Sequence, residues 1–157
     1  MASPRSAWLL GLLLAAAGCG AEGKEGALRS HVERHEATGA VRAEFQQRFN
    51  GEEWVHEGPA RFYDEQGRLT HSGSYAAGLE EGLWQEFAPD GSLGEGPYEA
   101  GARSGTWTWY HPPREAARQP AERGRYEAGL RTGLWERWDH EGGPLEPTRW
   151  SAGEQQP

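Results

Sequence analysis

From Cys19 onward the chain has no isoleucine, three valines (Val32, Val41 and Val55) and few leucines. A conventional aliphatic core is excluded, and in an acidic chain so small an aliphatic share would ordinarily mean disorder. Cysteine is limited to Cys19, so no internal disulfide can staple the fold and stability must come from packing. A basic surplus is also missing, with 16 Lys plus Arg against 24 Asp plus Glu. That balance disfavours nucleic acid and anionic lipid as partners, since both need a basic face. Long apolar runs are equally scarce. The one from Trp8 to Ala17 is too short to cross a membrane as a mature helix.

Catalytic patterns are missing as well. Residues 101–105, GARSG, hold Ser104 outside the central position that a nucleophile elbow requires. The glycines follow no strand-to-helix phosphate motif. His31 and His35 have the i, i+4 spacing of two metal ligands, but Glu33 stands at the wrong offset for a zinc protease and nothing suggests a third ligand. The three aspartates, Asp64, Asp90 and Asp139, all precede a glycine within a turn segment, and turn chemistry accounts for them. The scattered glutamates read as solvated strand faces. Catalytic, cofactor-binding and metal-ligating residues are therefore expected to be none.

What the chain does have is aromatic rings on a repeated frame. Gly73, Tyr75, Gly78, Gly82, Trp84 and Phe87 are followed by Gly96, Tyr98, Gly101, Gly105, Trp107 and Tyr110. The frame returns at Gly124, Tyr126, Gly129, Gly133, Trp135 and Trp138. Tyr75 to Tyr98 is 23 residues, Tyr98 to Tyr126 is 28, and Tyr126 to Trp150 is 24. A period of this size marks a repeat architecture.

Each unit holds two strand-like runs, such as Leu83 to Phe87 and Leu93 to Glu99. Asp90-Gly91 joins this pair, and Ala100-Gly101 ends the second run. The fold class expected is all-β: an elongated, single-layer antiparallel meander of stacked β-hairpins of about 23 residues. Pro97 removes a backbone donor and predicts a local opening or bulge. Pleating separates Trp84 from Phe87, groups Trp107 with Trp109 against Tyr110, and separates Trp135 from Trp138. Each face is thus expected to carry its own aromatic ladder, replacing the missing aliphatic core. Residues 39–67 read as a divergent unit in which Gly58 matches Gly82, Tyr63 matches Phe87 and Ala60 replaces the tryptophan. Asn50-Gly51 predicts a tight turn, both residues tolerating positive φ. Residues 28–38 fit either a short helix or a degenerate first strand and turn, the place of His35 before Gly39 favouring the strand. Residues 111–123, with Pro112, Pro113 and Pro120, predict an insertion loop that leaves the sheet. It is either a tolerated surface insertion or a partner-specific loop.

At the N-terminus, residues 1–18 have the form of a removable signal peptide, ending in Ala16-Ala17-Gly18 before Cys19. Small residues before a cysteine after a leucine-rich run resemble a bacterial lipoprotein signal, which implies lipid attachment at Cys19. An ordinary secretory signal is the alternative, and the protein would then be secreted. Removing Arg5 with the signal leaves 15 basic against 24 acidic side chains, a balance of −9. Residues 19–27 read as a flexible tether and residues 28–157 as the repeat array.

The frame G-x-Y-x-x-G-x-x-x-G-x-W-x-x-[FYW] resembles the MORN repeat family, in particular its bacterial variant branch. Residues 73–142 carry the resemblance, with weaker matches at 39–67 and 148–153. It implies a β-hairpin array that binds or scaffolds a protein partner without catalysis. Some bacterial members are described as antitoxin-like, which implies neutralising a toxin as an alternative. A cell-wall glycan held by the rings is another. The candidate partner-binding residues are Trp84, Trp107, Trp109, Trp135 and Trp138. With the signal, these readings place the protein in a bacterial envelope, anchored to a membrane through Cys19, the outer membrane being preferred.

Overall fold

The computed structural model describes residues 24–113 and 118–157. Twelve strands form a single open antiparallel sheet in meander order. They are β1 (Leu28–Arg34), β2 (Val41–Phe49), β3 (Trp54–Tyr63), β4 (Leu69–Ala76), β5 (Leu79–Phe87) and β6 (Leu93–Glu99). The chain continues through β7 (Ala102–Arg103), β8 (Gly105–Tyr110), β9 (Pro120–Glu127), β10 (Leu130–Trp138), β11 (Pro144–Ser151) and β12 (Glu154–Gln156). At ~4.8 Å between neighbours, the sheet advances by about 50 Å. Residues 28–38 form a strand and turn, not a helix. The sheet's pairing begins slightly before β1, within the residues expected to be tether: the Gly26 amide donates to the Phe49 carbonyl.

Two backbone devices recur in every full unit. Ala77-Gly78, Ala100-Gly101, Ala128-Gly129 and Ala152-Gly153 all take positive φ at both positions. This is the two-residue hairpin turn whose twist matches that of the strands it joins. The glycine amide of each then reaches past its own hairpin to the unit before. Gly78 donates to the His56 carbonyl (2.9 Å), Gly101 to Glu80 (3.0 Å), Gly129 to Arg103 (2.9 Å) and Gly153 to Arg131 (3.0 Å). The second device is a positive-φ glycine within a strand, at Gly58, Gly82, Gly105 and Gly133. At Gly82 it swells the strand by two residues: Ser72 pairs with Gln85, but Ser74 pairs with Glu81. The run expected to begin at Leu83 is therefore one longer strand, β5, bulged at Gly82.

Two local expectations are corrected and a third is met. Asn50-Gly51 is not a two-residue turn. Only Gly51 has positive φ, and Asn50 Oδ1 accepts the Glu52 and Glu53 amides (both 2.9 Å) across a longer loop. An asparagine carboxamide competes for these amides and widens the turn. The insertion is shorter than expected, because β9 starts at Pro120 opposite Tyr110. A proline is tolerated as the first residue of a strand, where its missing donor is not needed. The irregularity expected at Pro97 does occur: β7 and β8 are separated at Ser104, whose amide donates to the Pro97 carbonyl (2.9 Å).

The core is built mainly on one file of rings on one face, hereafter the ring face, with Ala43, Ala60 and Leu93 also buried. Phe45, His56, Tyr75, Trp84, Tyr98, Trp107, Tyr126 and Trp135 succeed one another with centroids 4.5–5.9 Å apart. Most contacts are edge-on or tilted, the arrangement favoured by ring quadrupoles. A matching ladder on the opposite face is not formed among the described residues. There Tyr63 donates to Glu44 and Tyr110 to Glu95, while Arg118 covers Phe87 and Arg123 covers Trp138. Charged side chains separate those rings where the ring face has ring on ring.

Candidate functional site

Three of the five candidate tryptophans are core. Trp107 and Trp135 are completely buried and Trp84 is 3% exposed, so none can offer its face to a partner. The cause is the frame's first glycine. Trp84 lies flat on Gly73, Trp107 on Gly96 and Trp135 on Gly124, each on the neighbouring strand, and a Cβ at any of these glycines would fall inside the indole. Trp84 Nε1 donates to the Ser74 carbonyl (3.1 Å) and Trp107 Nε1 to Pro97 (2.9 Å), whereas Trp135 Nε1 has no partner.

Trp109 and Trp138 are half-buried and border a groove of about 540 Å³ at the hairpin ends of β8–β11. Trp109 rests on Gly94 and stacks against Trp107 (5.7 Å). Across the groove Glu122 joins two cations, Arg131 at 2.9 Å and Arg137 at 3.5 Å. Arg131 also lies over Trp135 (4.0 Å) and Trp150 (4.9 Å), extending the ring file by a cation. His111 and His140 stack at 3.9 Å on the rim. His111 Nε2 lies 2.9 Å from the Trp138 carbonyl, and a carbonyl only accepts, so that nitrogen carries the proton. The arrangement presents an apolar wall beside two guanidinium groups. Neither Glu122 nor the histidine stack was picked out from sequence, because the insertion concealed that residues 120–123 rejoin the frame.

The electrostatics of the ring face centre on carboxylates beneath tyrosines. Tyr98 donates to Glu86 (2.9 Å), which also holds the Arg103 guanidinium. Burial first, and Glu86 second, push the Tyr98 phenol up to about 12. Burial and Glu80 do the same for Tyr75, also to about 12. Both phenols stay protonated and act as donors.

Most leucines lie outside, Leu93 (2% exposed) being the buried exception. Six of the eight leucines after Cys19 are exposed, Leu83 by 66% and Leu134 by 51%. These two occupy one frame position, directly after a bulge glycine, a signal legible in the twice-repeated Gly-Leu-Trp. His31 packs at a tilt against Phe45 (5.0 Å) and His35 Nε2 bonds the Tyr63 carbonyl (3.0 Å), so both serve the sheet. Among the described residues no cluster of three or more His, Cys, Asp or Glu could hold a metal, and no helix is long and apolar enough to cross a membrane. Cys19 and residues 1–18 lie outside the described residues. Neither the protein-family models nor the curated proteins contain a match to this chain.

Proposed function

We propose that this chain is a non-catalytic repeat module, anchored in a bacterial envelope through a lipid on Cys19, that binds or scaffolds another protein. The observation that carries the reading is the inversion of burial. In a chain so short of aliphatics, rings fill the interior while Leu83 and Leu134 stand in water at equivalent positions of two units. Each would release roughly 1.5–3 kcal/mol on full burial, so a partner spanning both units gains apolar area that the fold itself does not use. The resemblance of the frame to MORN repeats supports the same reading, and a toxin-neutralising role would be one form of it.

The test is photo-crosslinking from positions 83 and 134 in envelope preparations, paired with the Leu83→Glu/Leu134→Glu variant. A single discrete protein adduct, abolished in that variant while its melting temperature is kept, is expected. Adducts only with bulk envelope material would refute the reading. Anchoring is checked separately: the extracted N-terminus should carry a lipidated Cys19, and Cys19→Ser should release the protein from membranes.

The groove beside Trp109 favours a second reading, an envelope glycan. Trp107→Ala cannot test it, because that side chain is wholly internal. Trp109→Ala and Arg137→Ala are the informative variants, and their effect on wall-polymer binding distinguishes the two readings.

A further inference from the structure

The strongest unassigned feature is the outer edge of β1. It begins the sheet, and among the described residues no strand pairs with its outer side. The Ala27 carbonyl accepts the Phe49 amide, and Arg29, His31 and Glu33 follow it in register with Gln47, Phe45 and Ala43. In an antiparallel ladder alternate residues bond to the same neighbour. The backbone groups of Leu28, Ser30 and Val32 therefore point outward.

We propose that this edge pairs with itself, joining two copies of the chain about a two-fold axis centred on His31. In that register Ser30 of one copy opposes Val32 of the other, and both present their N–H and C=O groups across the seam. Arg29 opposes Glu33 twice over, on the ring face that His31 shares with Phe45. Opposite charges directly across a strand pair are favourable, and the existing attachments of these two leave capacity for it. Arg29 bonds Gln47 through Nε and lays its guanidinium over Trp54 (4.1 Å), which leaves its terminal nitrogens to donate, and the Glu33–Arg42 pair is a loose one at 3.8 Å. His31 would meet its counterpart, so the ring file would run from Phe45 through the seam into the second copy. On the opposite face Leu28 and Val32, exposed by 64% and 51%, would be partly covered. The other end of the sheet is blunted. β12 has only three residues, Glu-Gln-Gln, and short polar edges resist pairing. One self-complementary edge and one blunt edge give a closed dimer, not a filament.

This goes beyond the partner-binding reading and does not depend on it. The test uses the full chain with Cys19→Ser, followed by sedimentation velocity over a range of concentrations. A monomer–dimer equilibrium is expected. Ser30→Pro removes an N–H that serves only the outer edge, so it should leave the melting temperature in place and give monomer. Arg29→Glu should also give monomer, and adding Glu33→Arg should restore the dimer. The double reversal keeps the test decisive even if the proline variant folds poorly. A monomer at every concentration, growth beyond dimer, a dimer that persists in well-folded Ser30→Pro, or a double reversal that stays monomeric would overturn the proposal.

Discussion

The first full hairpin, β2–β3, and the later units solve one packing problem in opposite ways. The Gly78 and Gly101 amides bond to the His56 and Glu80 carbonyls, which makes these two residues equivalent. Since His56 pairs with Gln47 and Glu80 with Tyr75, Phe45 then stands where Gly73, Gly96 and Gly124 stand, and Ala60 where Trp84 stands. In the later units the small residue comes first and the large ring reaches back over it. In β2–β3 the large residue comes first: Phe45, 7% exposed, lies opposite Ala60, 2% exposed. The volume filled is similar, but the direction is reversed. What the sheet requires at this position is one large and one small partner, not tryptophan as such.

The comparison can be broken most severely at the centre of the file. Trp107→Ala should cost about 3–5 kcal/mol, read as a lower urea midpoint, because a wholly buried indole leaves a cavity between Tyr98 and Tyr126. A loss below about 1 kcal/mol would mean that the rings are not the core.

Exchanging the two partners sharpens it. Ala60→Trp alone places two large groups together and should destabilise by about 1–3 kcal/mol. Phe45→Gly/Ala60→Trp installs the later units' pattern in the first hairpin. Its loss should be smaller than the sum of the single losses by at least about 1 kcal/mol. Strict additivity would show that the two hairpins are not alternative fillings of one site.

The smallest effect concerns two tyrosines of the file that donate to carboxylates. Tyr75 and Tyr98 are raised from the ordinary 10.0 to about 12 by burial and then by a neighbouring carboxylate. Tyr63, off the file, is raised less, again by burial first. A phenol with a raised folded-state pKa favours folding fully below pH 10, and the contribution fades as pH rises through about 12. Alkaline titration followed by tyrosinate absorbance should show two phenols ionising last, together with loss of the fold. Tyr98→Phe should remove one of them.

The repeat frame was legible because glycines and rings recur at fixed offsets, and those offsets alone specified hairpins and a single open sheet. The partners of the glycines were not legible. Nothing in the spacing says that Gly96 receives the indole of Trp107 and not that of Trp84, since this depends on the bulge at Gly105. Pleating correctly separated Trp84 from Phe87, but alternation does not reveal that Glu95 and Arg123 would intervene between rings on the second face. Alternation does not reveal the burial of Trp84, Trp107 and Trp135 either. A single-layer sheet suggests open faces, yet a ring laid on glycine and flanked by rings on both sides is sealed from water.

The turn amides that reach back to the preceding unit bear on how such a chain grows. Each hairpin brings its own donor and leaves behind the acceptor that its successor will use, so the joint between modules is generic. Gene duplication could add or excise a whole module without redesigning its neighbours. The width of the sheet is thus free to change by whole modules.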